Sequence, residues 1–305
     1  MGVALRRVVY ACVVGDYDRL LAPEVPEAGL DYIVFSDNPH LSAPAPWQLR
    51  PIQRTERNVR MTSRWHKLHP HLLFPHHEAS LYIDSNVVLR TPVGPLFDPM
   101  LAEAPIALFR HPERDCPYAE AEVVARHRLD EEVIVEAQMA YYRAKNFPAG
   151  EGLHNSGVLL RRHAYPRMAA FLEDWWRQLK VFSHRDQLSM DFMLRRHAIP
   201  CADFPGLLAS SPWFALAPHR RYRVETVGMQ QLATGDELDW LRMILIEQGR
   251  RRRKPASLRA MGQAAFWHAM RPLRAAKRQF LILTWRPRTA VAAQARPLPA
   301  SGGSG

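Results

Sequence analysis

The chain has 305 residues, 47% of them hydrophobic, which is enough for one generous core or two small domains and excludes a chain disordered throughout. A net charge of +11 with a pI near 10.0 points to a polyanionic partner, yet nearly all of the excess lies after residue 247. Three widely spaced cysteines, Cys12, Cys116 and Cys201, odd in number and without metal-ligand spacing, argue against a disulfide framework and suit a reducing compartment.

Val8 to Val14 is a continuous, β-branched apolar run. It is too short to cross a membrane, and Gly15-Asp16-Tyr17-Asp18 follows it in place of a signal cleavage site, so it reads as a first strand covered on both faces. Asp31 to Asn38 repeats that grammar, an apolar strand ending in Ser36-Asp37-Asn38. Two such endings suggest one shared ligand edge, because open α/β sheets bind ligands at the carboxyl ends of their strands.

Arg54, Arg57, Arg60, Arg64 and Lys67 recur every three or four residues and would form one cationic helix stripe. Such a stripe is either a solvated face or, this close to an acidic strand, a set of phosphate ligands, with Lys67 and Arg60 the candidates. Trp65, Leu68, Leu72 and Leu73 keep helical spacing until Pro75, and Leu81 to Leu89 is a β-type run interrupted by Asp84-Ser85-Asn86. On an extended segment Asp84 and Asn86 point the same way and could face a metal-bound diphosphate, whereas the plain alternative is a turn. His111 to Glu120 reads as an irregular polar loop and residues 126–146 as a helix. Asn155-Ser156-Gly157 precedes the apolar Val158-Leu159-Leu160, where a glycine lets backbone approach a sugar, or simply turns the chain. Tyr165 to Val181 is an amphipathic helix with Trp175 and Trp176 in its core face, and Ser183 is the expected N-cap of a following helix with Asp186 in its first turn.

Lys67-Leu68, Tyr82-Ile83-Asp84-Ser85-Asn86, Asn155-Ser156-Gly157 and Asp186-Gln187, in that order, resemble the GT-A glycosyltransferases, particularly family 8. With His111-Pro112-Glu113-Arg114-Asp115-Cys116-Pro117 and Arg185-Asp186-Gln187-Leu188-Ser189, the chain is more closely similar to the glycosyltransferase-like family that includes plant mucilage-related proteins, over about residues 8–225. The resemblance implies a GT-A-like, Rossmann-like α/β domain with a mixed, mostly parallel sheet, extending over residues 1–245. It implies a nucleotide-diphosphate sugar donor, a glycan or other hydroxyl acceptor, and a divalent cation, Mn2+ or Mg2+. Tyr10, Asp16, Asp18 and Asp37 would then surround base and ribose. Arg60, Lys67, Asp84, Ser85 and Asn155 would hold diphosphate and sugar, while Asp84, Asn86 and a late histidine, His219, would be the metal ligands. The catalytic candidates are Asp186 on the sugar hydroxyls and Gln187 near the anomeric carbon. Asn86 replaces the second carboxylate of the family 8 metal motif, and the glycine and lysine that accompany the late histidine are missing, which weakens the expected metal site. These departures keep open a nucleotide-sugar hydrolase or a noncatalytic nucleotide-sugar-binding module.

Residues 246–300 combine about a dozen cations with Phe266, Trp267, Phe280, Ile282 and Trp285, and no acid follows Glu247. That composition suits an anionic membrane surface, and hence a cytoplasmic protein at the inner face of a membrane. The alternatives are a basic adaptor and a solubilising tail; nucleic-acid binding lacks any readout motif. Residues 301–305 read as a flexible linker.

Overall fold

A computed structural model describes residues 6–15, 18–218 and 237–252 of the chain. Seven strands form the central sheet: β1 (Arg7–Val13), β2 (Asp31–Ser36), β3 (Gln48–Pro51), β4 (Ala79–Ile83), β6 (Ile106–Arg110), β7 (His154–Arg162) and β8 (Cys201–Asp203). Their order is β3-β2-β1-β4-β7-β6-β8, and β7 runs antiparallel to both of its neighbours while the other pairings are parallel. A two-stranded sheet of β5 (Val87–Leu89) and β9 (Phe214–Leu216) lies beside it. The expected mixed, mostly parallel α/β architecture is the one found.

The period of two sorts β1 cleanly. Val8, Tyr10 and Cys12 enter one core, and Val9, Ala11 and Val13 enter the other. The first core is roofed by helices α1 (Val59–Leu68), α4 (Pro117–Arg126), α5 (Glu132–Ala144), α6 (Met168–Val181), α7 (Gln187–His197) and α8 (Glu237–Arg252). On the other face lies α3 (Gly94–Glu103), and the short α2 (Pro70–Leu73) follows α1 after a break at His69. Both tryptophans of α6 are core residues, Trp175 donating its indole N–H to Ser189 Oγ at 2.9 Å.

Four expectations change. Residues 81–89 are split between β4 and β5 of different sheets, and of the two readings of Asp84-Ser85-Asn86 the turn is the one found, closed by the Val87 N–H bond to the Asp84 carbonyl at 2.9 Å. The polar stretch 111–120 is irregular only to Cys116, since Pro117 opens α4 at the first helical position, where its missing N–H is harmless. Arg54 and Arg57 precede α1, which Asn58 caps by accepting the Met61 N–H at 2.8 Å, so only Arg60, Arg64 and Lys67 share its turns. Finally, the boundary expected at residue 245 falls inside α8, whose Ile246 is buried in the main core. No described helix is long and apolar enough to cross a membrane.

Candidate active site

The carboxyl ends of β1 and β4 and the beginning of the antiparallel β7 meet at one rim, where helices α1 and α7 enclose a cavity of about 340 Å3. Its first wall is the turn after β1. Gly15 is held at φ +67°, and its N–H donates to both carboxylate oxygens of Asp37, at 3.0 and 3.1 Å. A side chain there would also meet Val59 at 2.7 Å, so glycine is required on both counts. Asp18 accepts from Ser85 Oγ at 2.9 Å, which ties this turn to the one carrying Asp84.

The floor is a cluster of four charges. Lys67, fully buried, places its ammonium 2.6 Å from Asp186 and 3.4 Å from Asp84, while Arg64 lies 3.1 Å from Asp186 and 3.8 Å from Asp84. Burial opposes ionisation of Asp186, but Arg64 and Lys67 together hold its carboxyl well below the usual range. Burial likewise pulls Lys67 below its ordinary value, against the two carboxylates. Asp186, not Ser183, occupies the N-cap position of α7, but its side chain makes no cap bond there. Its side chain is spent on the cavity cations. Arg60 and Arg185 add positive charge to the lining, and the Nε2 of Gln187 is buried there with no hydrogen-bond partner among the described residues.

At the start of β7, Asn155 Oδ1 accepts the Gly157 N–H at 2.7 Å, and the Gly157 carbonyl accepts from the Asp84 N–H at 2.8 Å. A Cβ on Gly157 would stand 3.0 Å from Asn155 Oδ1 and 3.4 Å from Asp84 Oδ2, so the bare backbone keeps this corner open.

Of the residues anticipated from the sequence, Asp18, Arg60, Asp84, Ser85, Asn155, Asp186 and Gln187 line the cavity, and Lys67 supports its acidic wall from beneath. Tyr10 is a correction. It is fully buried, donates to the Lys67 carbonyl at 2.9 Å and accepts from Arg161 at 2.7 Å, and burial pushes its phenol up to about 12. Asp37 is the staple of the first turn and does not line the cavity. Asn86 is a second correction: Asp84 to Asn86 is a turn and not an extended segment, Asn86 does not line the cavity, and its amide donates to the Ala217 carbonyl at 3.2 Å. Asp16 and His219 lie outside the described residues. Among the residues not singled out as ligands, Arg64 could have been found, since it precedes Lys67 by one helical turn, and Arg185 adjoins Asp186.

Among the described residues no three His, Cys, Asp or Glu side chains are grouped to hold a metal ion. The donor set is thus too small for an all-protein cage. It does fit a hard cation that keeps its waters and binds through one carboxylate plus substrate phosphates, because Asp84 is one-third exposed at the cavity and its Oδ2 is the oxygen turned toward Gly157.

Among solved structures, the chain is similar to the apo bifunctional glycosyltransferase WbbM, with 13% identity and a TM-score of 0.41 over 67% of this chain and 39% of that one. The chain thus spans well under half of WbbM. It is also similar to apo mouse xyloside xylosyltransferase 1, with 14% identity and a TM-score of 0.43 over 66% of this chain and 85% of that one. No curated protein matches it in sequence. The TOD1/MUCI70, glycosyltransferase-like domain matches residues 47–202, more than half of the 305, spanning Lys67, the Asp84 turn, the Gly157 corner and Asp186. The chain belongs to the TOD1/MUCI70 glycosyltransferase-like family.

Proposed function

We propose that the chain transfers a glycosyl group from a nucleotide-diphosphate sugar to a hydroxyl of a glycan or other acceptor. The observation that carries this reading is the gathering of Arg60, Arg64, Lys67 and Arg185 around a cavity at the strand carboxyl ends, the place and charge a diphosphate needs. In the reaction the acceptor oxygen bonds to the anomeric carbon as the bond from that carbon to the diphosphate breaks. The electron pair departs with the diphosphate, and the proton of the acceptor hydroxyl passes to the departing phosphate oxygen or to solvent, leaving glycoside and nucleoside diphosphate as products.

The developing charge on the leaving group is the central difficulty, and fixed cations in a partly enclosed site counter it without reorganising. Asp186, ionised and locked by Arg64 and Lys67, orients sugar hydroxyls as an acceptor of hydrogen bonds, and the Gln187 amide donates from the same wall. The bare backbone at Gly157 leaves room for the sugar beside Asp84. A divalent cation, Mn2+ or Mg2+, would be held by Asp84 together with the donor's phosphates and would supply further charge for the leaving group. The basic segment after α8 is read as an attachment to an anionic membrane surface, which would place the enzyme on the cytoplasmic side.

The test is a panel of nucleotide sugars assayed by calorimetry and by release of nucleoside diphosphate, with and without Mn2+. One donor is expected to bind and turn over, and Lys67→Met should abolish its binding. Failure of every nucleotide sugar and every nucleoside diphosphate to bind would overturn the reading.

A further inference from the structure

The wall residues Arg185 and Asp186 stand on a short segment between α6 and α7 that has little regular structure of its own, and Gln187 is the first residue of α7. What holds it is a buried carboxylate, Asp130. One oxygen of Asp130 accepts from Ser183 Oγ at 2.9 Å and from the His184 N–H at 2.8 Å. The other lies 2.6 Å from the guanidinium of Arg242 on α8, and that guanidinium also donates to the Phe182 carbonyl. Arg242 is 2% exposed, so its charge is matched inside the protein. The next residue of the segment continues the chain of contacts, because Arg57 donates to His184 Nε2 at 2.9 Å, just before α1 and its Arg60, Arg64 and Lys67.

Helix α8 lies outside the span matched by the family; it packs on α5 and α6, buries Ile246 in the core, and approaches α5 at Gly249, where a Cβ would come within 2.5 Å of Val133. We infer that α8 is a latch for the donor site: Arg242 is a positioning residue that, through Asp130, the Phe182 carbonyl and the Ser183-His184 backbone, fixes Arg185, Asp186 and Gln187 in place. Docking of α8 and order in the cavity wall are therefore one equilibrium, and anything that lifts this helix loosens the grip on the ligand. The latch rests on the proposed function only for what the cavity holds.

Two measurements on the full chain test it. In the unsubstituted protein, hydrogen exchange should show the amides of residues 183–187 opening with the same free energy as those of α8. Fast exchange in α8 with continued protection of 183–187 overturns the latch, whatever the cavity binds. Inorganic pyrophosphate, the part common to all nucleoside-diphosphate donors, is the probe for the second. Arg242→Gln should bind it about tenfold more weakly, the usual size of a coupling between two sites. Ile246→Ala, which weakens the packing of α8 but leaves the helix docked in nearly all molecules and keeps Arg242, should lower the melting temperature and leave that affinity within twofold. Equal affinity losses in the two variants, or none in Arg242→Gln, would show that α8 acts by bulk stability or not at all. A protein that bound no pyrophosphate in any form would count against the proposed function, and the exchange measurement would still decide the latch.

Discussion

Lys67 carries its charge with no exposed surface, a position an ammonium tolerates only because carboxylates stand 2.6 and 3.4 Å away. Asp186→Asn should therefore do more than weaken a helix end. Loss of one partner from a buried pair costs about 3 kcal/mol, and the variant should show it in chemical denaturation together with a collapse of donor turnover. The sign with pH follows from the depressed carboxyl of Asp186: its contribution is present above its unfolded value near 4 and fades as the pH falls toward the folded one, so the variant should have a flatter acid limb. His154 behaves in the opposite sense. Burial disfavours its imidazolium, but bonds to Asp191 and Cys201 raise it to about 10. Its stabilisation is complete below the unfolded value near 6.5 and is lost as the pH rises toward 10, so melting temperatures of His154→Gln should decline less across that window than those of the unsubstituted chain. At this scale the sequence was legible where a side chain is chemically out of place, as Asp84 is after an apolar strand. It misled where a polar group had a partner far along the chain: Tyr10 is claimed by Arg161, and Asn86 by Ala217.

Helix α8 meets α5 at a glycine. In an open helix face Gly→Ala gains about 1 kcal/mol from propensity. At Gly249 the added methyl would stand 2.5 Å from Val133 Cβ, and overpacking of that kind costs about 1–3 kcal/mol. Gly249→Ala is thus expected to lower the melting temperature, and Val133→Ala to restore most of it; stabilisation by the single change would show that the two helices do not touch as described. Elements with a strong period were readable: β1, β2 and α6 appear where their apolar patterns put them. The stretch 81–89 was not, because hydrophobicity alone cannot reveal that a chain leaves one sheet for another. Nor was the end of the domain, since α8 carries Arg250, Arg251 and Arg252 in its last turn and merges in composition with the basic residues beyond it.

For the whole molecule, the ten lysines and arginines after residue 252, with no acid among them, are expected to act separately from the fold. A chain ending at Arg252 should keep its melting temperature and pyrophosphate affinity yet lose binding to phosphatidylserine vesicles, to which each cation near the surface contributes about 1 kcal/mol. Equal vesicle binding by both chains would remove the proposed attachment. The placement of β7 between β4 and β6 has a different kind of consequence, one of timing. The apolar β4 is complete at Ile83, but the strand that covers its open edge ends at Arg162, roughly 4–16 s later at about 5–20 residues synthesised per second. Throughout that interval a nascent chain presents an unpaired hydrophobic edge of the sort that recruits other strands. Asp84 meanwhile lacks the Gly157 carbonyl that receives its N–H, so the ribosome releases no working site until most of the protein has been made.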